Sequence, residues 1–342
     1  MMKIFSQIVL CAALVSGATN LAAQTQTSTQ SPTQMQSRQP QKRNVTRLDK
    51  DYFIHGRFAG KTILVTGGAR GIGKWTAVRA VKEGANVVIM DWLDELGRAV
   101  TDSINRACGG GGGQAIFVFG NIQETPDCER MVRAAVERFG RIDYACLNAG
   151  VMDGAFSGTP FRFDAQQRKL LPAVVTEATD EYWENVFRTN AMGTFKSLRA
   201  TLQQMLRQNN GGAIVMVASI AGMTGLAGNP AYVASKHAVN GLMRNAAIDY
   251  APYGIRVNSV NMAETQTPMV ERAQEFVKAE VKEGAGMGMG AIKTMSLLKY
   301  CDSEHRGSFP WEQASNILYL LSDEASAVTG TVMATDGGWT DF

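Results

Sequence analysis

Short apolar runs alternate with longer amphipathic segments from Lys61 to the end of the chain. Apolar runs of this length are typical of strands buried on both faces, and the segments between them follow the helical period. The pattern predicts seven strands: Thr62–Thr66, Asn86–Asp91, Gln114–Phe119, Tyr144–Asn148, Ala213–Ala218, Arg256–Val260 and Val332–Thr335. It predicts helices at Gly73–Glu83, Glu95–Ala107, Pro126–Phe139, Asp180–Asn209, Ala231–Ala251 and Trp311–Ser322. This alternation predicts an α/β fold, a doubly wound, seven-stranded parallel Rossmann sheet with helices on both faces, formed by one domain over residues 51–342.

Two connections are longer than this alternation requires, Gly154–Ala173 and Glu264–Phe309. Ligands bind beyond the carboxyl ends of parallel strands, so we expect both segments to form walls of a substrate pocket. The second carries methionines, leucines and glycines: Met269, Met287, Met289, Met295, Leu297, Leu298, Gly284, Gly286, Gly288 and Gly290. This composition suits a mobile apolar lid over residues 264–309 and favours a hydrophobic alcohol or ketone, although methionines at helical spacing are more often packing residues than ligand contacts.

The amino terminus differs from the rest of the chain. Residues 1–23 combine Lys3, an apolar stretch and small residues ending at Ala23, which predicts a secretory signal peptide cleaved there. The apolar stretch is too short to span a membrane comfortably. Residues 24–50 are rich in Gln, Thr, Ser and Pro and predict a disordered linker. The mature protein is therefore expected in the periplasm or outside the cell, with the cytoplasm as the alternative if the chain keeps Met1.

Charge and cysteine content argue against nucleic acid and metal ions as partners. The 34 Lys and Arg residues nearly balance the 31 Asp and Glu residues, and no basic block interleaved with aromatics indicates nucleic-acid binding. Cys108, Cys128, Cys146 and Cys301 would remain after cleavage, without metal-ligand spacing, so we predict no metal and no required disulfide. Cys146 lies in an apolar run and is expected to be a buried thiol.

A glycine-rich run follows the first strand, at Thr66-Gly67-Gly68-Ala69-Arg70-Gly71-Ile72-Gly73. Amides at the start of the next helix can receive a pyrophosphate if no side chain holds it away, which explains glycine at positions 67, 71 and 73. Asp91 ends the second strand, where a carboxylate would bind ribose hydroxyls and repel a 2′-phosphate. NAD is therefore the expected cofactor, with NADP possible because Arg70 and nearby basic groups could instead bind a 2′-phosphate.

Catalytic chemistry is indicated by Ser219, Tyr232 and Lys236. Tyr232 and Lys236 are four residues apart and share one helical face, so the ammonium is expected to favour the phenolate. The tyrosine could then act as an acid or base in hydride transfer, with Ser219 donating to the substrate oxygen.

With these motifs, the chain from about Gly60 to Phe342 resembles the short-chain dehydrogenase/reductase superfamily. Further carriers are Asn148-Ala149-Gly150, Asn190, the strand Arg256–Val260 and Asp336-Gly337-Gly338. The resemblance implies that Tyr232 is the proton donor or acceptor, that Lys236 lowers its pKa and holds the nicotinamide ribose, and that Asn190 holds a relay water. The implied cofactor-binding residues are Gly67, Arg70, Gly71, Ile72, Gly73, Asp91, Asn121, Ile122, Asn148, Ala149, Gly150, Tyr232, Lys236 and Thr267.

Three positions depart from the family pattern around the cofactor. Leu147 stands where a second asparagine is usual, Asn121-Ile122 where an aspartate usually lies near the adenine, and Met262-Ala263 where Pro-Gly is usual. Leu147 is expected to face the core, and Asn121 can still bind through its amide. These departures affect cofactor affinity and identity more than proton transfer.

The resulting hypothesis is an NAD(P)-dependent oxidoreductase acting on a secondary alcohol or the corresponding carbonyl. The alternatives are a non-catalytic dinucleotide-binding or interaction protein on the same scaffold and, third, a sugar epimerase or dehydratase, which also uses Tyr-x-x-x-Lys. The resemblance further implies a homo-oligomer, a dimer or tetramer, formed through the helices Asp180–Asn209 and Ala231–Ala251.

Overall fold

Parallel strands form one sheet in the computed structural model, which describes residues 46–108, 110, 112–155, 158–282 and 306–341. The strands are β1 Thr62–Thr66, β2 Asn86–Asp91, β3 Ala115–Phe119, β4 Tyr144–Leu147, β5 Gly212–Val217, β6 Ile255–Met262 and β7 Val332–Thr335. Their spatial order is β3-β2-β1-β4-β5-β6-β7, and all neighbours pair in parallel. The predicted doubly wound, seven-stranded sheet is confirmed. The order reverses direction between β1 and β4, and this switch point places ligands beyond the strands' carboxyl ends.

Helices cover both faces of the sheet. They are α1 Gly71–Lys82, α2 Asp94–Cys108, α3 Thr125–Phe139, α4 Ala165–Arg168, α5 Asp180–Phe187, α6 Thr194–Gln208, α7 Pro230–Tyr250, α8 Pro268–Lys282 and α9 Pro310–Leu321. One buried cluster joins α1, α2 and α9 to alternate strand residues such as Ile63 and Val65. The second joins α3, α6 and α7 to the intervening residues, including Leu64. Strands buried on both sides explain the nearly continuous apolar runs in the sequence.

Two helical regions differ from the prediction. The predicted helix Asp180–Asn209 is interrupted by a π-helical segment, Arg188–Gly193, between α5 and α6. The second extended connection contains α8, within the segment that the sequence predicts as a lid. Most of the remainder of that predicted lid, residues 283–305, lies outside the described residues.

The predicted signal peptide, most of the predicted linker and Cys301 also lie outside the described residues. Leu48, near the end of the predicted linker, accepts a hydrogen bond of 2.9 Å from Trp311 Nε1 on α9. Cys108, Cys128 and Cys146 are buried free thiols, which confirms the expectation for Cys146. Among the described residues, no helix has the length and apolar character needed to cross a membrane.

Candidate active site

The glycine loop lies where β1 meets α1, and it has no room for side chains at its two closest contacts. Gly67 has a φ of 66°, and a Cβ atom there would lie 2.8 Å from Ala149 Cα. A Cβ atom on Gly73 would lie 2.3 Å from the Gly67 carbonyl oxygen. Glycine at both positions therefore allows the tight turn and the close approach of α1 to the loop.

Asn148, at the end of β4, fixes this loop from the neighbouring strand. Its Nδ2 donates to the carbonyls of Thr66 and Gly67 over 3.1 and 2.9 Å. In return, the Thr66 hydroxyl accepts from the amides of Asn148 and Ala149. Leu147 is buried, as expected, so its departure from the family pattern leaves these contacts intact.

Asp91 holds the loop from the other side while facing the cavity. One carboxylate oxygen accepts from the Ala69 amide over 3.0 Å, and the other accepts from the Leu93 amide over 3.1 Å. Burial raises the pKa of Asp91, and these amides together with Arg70 oppose the rise. Each carboxylate oxygen keeps a second lone pair, so a ribose hydroxyl can still donate to it.

Asn121, Ile122 and Thr267 also line the cavity. The Asn121 side-chain oxygen accepts from the Gln123 amide over 3.0 Å, which leaves its amide nitrogen as the group available to a ligand. Thr267 precedes α8, and its hydroxyl accepts from the Val270 amide over 3.4 Å. Met262 ends β6 and lines the same cavity.

Ser219, Tyr232 and Lys236 converge at the carboxyl end of β5. Ser219 precedes a short 3-10 turn, Ile220–Gly222, and its hydroxyl accepts from the Ala221 amide over 3.2 Å. Tyr232 and Lys236 are one turn apart on α7, with the Lys236 Nζ 5.6 Å from the centre of the tyrosine ring. Lys236 Nζ donates to the Val217 carbonyl over 3.0 Å, which directs it across the end of β5.

Burial dominates the titration of both α7 side chains. It raises the pKa of Tyr232, whereas a hydrogen bond with Ser219 lowers it. Burial also lowers the pKa of Lys236 to about 8. The net shift of Tyr232 is therefore opposite to the lowering predicted from the sequence, because desolvation disfavours the phenolate and weakens the ammonium that would stabilise it.

Asn190 lies in the π-helical segment, beside α7. Its Oδ1 accepts from the Val151 amide over 2.8 Å, and its Nδ2 donates to the Val151 carbonyl and to the Ser235 hydroxyl. Ser235 donates in turn to the Tyr232 carbonyl over 2.8 Å. Both amide donors are thus used, so a relay water at Asn190 would need the remaining lone pair of Oδ1 or a backbone group. Ser235 is not among the site residues predicted from the sequence.

These groups surround a cavity of about 960 Å³. Of the predicted site residues, Gly73 and Asn190 support the wall from behind, and the others line the cavity. The lining of this cavity also includes residues that are not predicted from the sequence, among them Trp92, Thr189, Glu264, Lys278, Arg306 and Gln313. Within the described residues, no cluster of His, Cys, Asp or Glu could hold a metal ion.

The residues present fit a nicotinamide dinucleotide. Within the described chain, the start of α1 has no side-chain cap and no acidic residue in its first turn, so its amides remain available to a pyrophosphate. Asp91, Tyr232 and Lys236 line the same cavity as the glycine loop.

Comparison with known proteins agrees with this geometry. Residues 61–278 match the short chain dehydrogenase family. The chain is 36% identical to a 3beta-hydroxysteroid dehydrogenase of Mediterraneibacter gnavus, covering 85% of this chain and 98% of that one. It is 34% identical to a cyclohexanol dehydrogenase of Acinetobacter sp., covering 84% and 98% of the two chains. The crystal structure of levodione reductase superimposes with a TM-score of 0.66 at 29% identity, over 83% of this chain and 99% of that one. The chain therefore belongs to the short-chain dehydrogenase/reductase family of NAD(P)-dependent oxidoreductases.

Proposed function

We propose that the protein is an NAD-preferring dehydrogenase or reductase that interconverts a secondary alcohol on an apolar ring with its ketone. One observation carries this proposal. Ser219, Tyr232 and Lys236 meet in the cavity that is also lined by the uncapped start of α1. This arrangement combines proton transfer with dinucleotide binding in one cavity.

A bound nicotinamide dinucleotide supplies the acceptor or donor of the hydride. In alcohol oxidation, Tyr232 in its phenolate form takes the hydroxyl proton and becomes the neutral phenol, and Ser219 donates a hydrogen bond to the substrate oxygen. Lys236 provides a positive charge beside the phenol when protonated, and its pKa of about 8 allows both protonation states near neutral pH. Ketone reduction reverses the proton transfer, with the Tyr232 hydroxyl as the acid.

Residues of α8 support an apolar substrate. Met269, Ala273 and Val277 recur at intervals of four residues and line the cavity. Leu226 and Met152 line it from other segments. Side chains that share one helical face form a continuous apolar wall, which suits a ring better than a free sugar. Two relatives named above are dehydrogenases of a hydroxysteroid and of cyclohexanol, and both names denote ring alcohols.

The preference for NAD rests on Asp91. Its buried carboxylate faces the cavity at the end of β2, where it would accept from ribose hydroxyls and repel a 2′-phosphate. Arg70 lines the same cavity and favours NADP. We give the Asp91 carboxylate more weight than Arg70 in this choice, because two backbone amides fix its position.

The test is a panel of cyclic alcohols and ketones assayed with NAD and with NADP. The wild-type protein is expected to reduce NAD with at least one cyclic alcohol, and Tyr232→Phe is expected to abolish turnover while retaining dinucleotide binding. Tyr319→Phe, on α9, is the matched control and should keep full activity. Tight dinucleotide binding without any turnover by the wild-type protein would instead support a non-catalytic binding protein.

We also propose a homotetramer built on α5, α6 and α7. Large apolar side chains are exposed along these helices and the π-helical segment, at Trp183, Met192, Phe195 and Ile248. Ile248 is 75% exposed, so Ile248→Glu should lower the mass measured by light scattering. A monomeric wild-type protein would contradict the proposal.

Export remains a proposal based on the sequence of residues 1–23. Amino-terminal sequencing of the protein from the producing cells should find Gln24 at the mature terminus. Recovery of the chain beginning at Met1 in the cytoplasm would contradict export.

A further inference from the structure

A buried polar network lies immediately behind the turn that carries Ser219. Asn240 Nδ2 donates to the Gly222 carbonyl and to Asn261 Oδ1, each over 2.9 Å. Asn240 Oδ1 accepts from the Ser259 hydroxyl over 2.8 Å, and Asn261 Nδ2 donates to the same hydroxyl over 3.0 Å. Asn240 is 1% exposed, and Ser259 and Asn261 are fully buried. Each polar side chain in the network therefore has partners inside the protein.

This network holds one end of the Ser219 turn, and Lys236 holds the other. Lys236 Nζ binds the Val217 carbonyl two residues before Ser219, whereas Asn240 binds the Gly222 carbonyl three residues after it. Both side chains belong to α7, the helix of Tyr232. The position of the Ser219 hydroxyl relative to the Tyr232 phenol is thus set by contacts from one helix.

The contact at Gly222 is close as well as polar. A Cβ atom at Gly222 would lie 2.7 Å from Asn240 Nδ2 and 2.7 Å from the Lys236 carbonyl oxygen. The turn is consequently packed against α7, and a change in the Asn240 side chain would move it. A displacement of about 1 Å at a catalytic group can lower a rate a hundredfold.

We propose that Asn240 is a positioning residue for the reaction: through the Gly222 carbonyl, it holds the Ser219 turn at the correct distance from Tyr232. This inference rests on the proposed function. Neither Asn240 nor Asn261 lines the cavity, so both act through the turn and not by touching the substrate.

The chain provides a matched control for this role. Asn258 is fully buried on β6, the strand that also carries Ser259 and Asn261. Its Nδ2 donates to the Val328 carbonyl over 2.8 Å, and its Oδ1 accepts from the Thr331 amide over 3.1 Å. Both side-chain hydrogen bonds of Asn258 therefore support the approach to β7, and neither reaches the Ser219 turn.

The experiment compares Asn240→Ser with Asn258→Ser in the full-length protein. Urea unfolding, dinucleotide affinity by fluorescence, kcat and KM for the best alcohol, and the pH profile of kcat are measured for each. A serine at position 240 is too short to reach the Gly222 carbonyl. We expect kcat to fall about tenfold to a hundredfold in Asn240→Ser, with dinucleotide affinity unchanged and full activity in Asn258→Ser.

The pH profile separates positioning from loss of stability. Lys236 on α7 and Tyr182 on α5 are the titratable groups facing Tyr232 in the described chain, and neither is changed. Because the hydrogen bond with Ser219 lowers the pKa of Tyr232, a displaced Ser219 should move the corresponding limb of the profile to higher pH.

Equal effects of the two substitutions on kcat, or an unshifted profile in Asn240→Ser, would overturn the inference and leave the proposed function intact. If Asn240→Ser does not fold, Asn261→Ser takes its place in the same measurements. That substitution removes Asn261 Oδ1, the second acceptor of the Asn240 side-chain amide. Absence of turnover in the wild-type protein would remove the proposed function and this inference together.

Discussion

Arg272 Nε lies 2.6 Å from Asp153 Oδ2, which joins α8 to the extended loop after β4. These side chains are 21% and 13% exposed. The Arg272 guanidinium also donates to the Thr159 carbonyl over 3.0 Å and lies over the Phe161 ring. Arg272 therefore holds α8, in one predicted substrate wall, against Asp153 and against Thr159 and Phe161 of the other predicted wall.

Replacing Arg272 should separate these walls. Arg272→Ala is expected to lower the free energy of unfolding by about 1–3 kcal/mol, because Asp153 loses a charged hydrogen-bond partner in a mostly buried position. It should raise KM for the alcohol more than it lowers kcat, since α8 lines the cavity while Tyr232 is carried by a different helix, α7. Arg133→Ala breaks an exposed pair with Glu129 and should change neither quantity appreciably. Equal effects of the two substitutions in urea unfolding and steady-state assays would contradict this role.

Gly67→Ala should weaken dinucleotide binding, because the new Cβ atom adds a close contact with Ala149 to the strain of a positive φ. Gly67 and Gly140 both have positive φ, at 66° and 77°, but only Gly67 faces a close contact, since nothing lies within 4 Å of a Cβ atom at Gly140. Gly140→Ala should therefore cost about 1–2 kcal/mol of stability and leave affinity unchanged. Fluorescence titration with NADH and urea unfolding measure both effects. An unchanged NADH affinity in Gly67→Ala would be the contrary result.

The buried amine of Lys236 should make stability depend on pH. Its pKa is about 8 in the folded chain, below the ordinary value of 10.5. Between these values the unfolded chain binds more protons, so this group makes the free energy of unfolding rise with pH. Lys236→Met lacks this contribution. The free energy of unfolding is measured with urea, without added dinucleotide. Its excess in the variant over the wild type should be larger at pH 7 than at pH 10. A difference independent of pH would refute the assignment.

Asp91→Ser should shift the cofactor preference toward NADP. The substitution removes the carboxylate that would repel a 2′-phosphate and leaves Arg70 at the same end of the cavity. The ratio of kcat/KM for NADP to that for NAD should rise about tenfold or more, which corresponds to about 1.4 kcal/mol of differential binding. Asp94→Ser, at the exposed start of α2, should leave the ratio unchanged. An unaltered ratio in Asp91→Ser would show that Asp91 does not select the cofactor.

The sequence predicts the sheet well because its strands are buried on both faces and bounded by polar turns. The glycine loop, Ser219, Tyr232 and Lys236 are also predicted together, since each occupies the end of a strand or one helical face. The π-helical segment at Asn190 is not predicted, because one extra residue per turn leaves the apolar pattern on either side intact. α8 is not predicted, because the glycines that follow it in the sequence led to a prediction of one mobile lid for the whole connection.

Burial and long-range contacts explain the remaining differences. The pKa of Tyr232 is raised because side chains distant in sequence, among them Trp92 and Tyr182, bury its phenol and exclude water. The spacing of Tyr232 and Lys236 along the helix does not reveal this burial. Asn240 and Asn258 are equally polar residues in apolar surroundings. Only the fold distinguishes the asparagine that reaches the Ser219 turn from the one that reaches Val328.

The backbone amide of Asn148 donates to the Thr66 hydroxyl, 82 residues earlier in the sequence, and so joins the end of β4 to the glycine loop. The loop consequently reaches its final shape only when β4 has docked beside β1. Dinucleotide fluorescence can therefore report on the late steps of refolding: affinity should appear after helical circular dichroism has recovered, when the crossover between these two strands is complete.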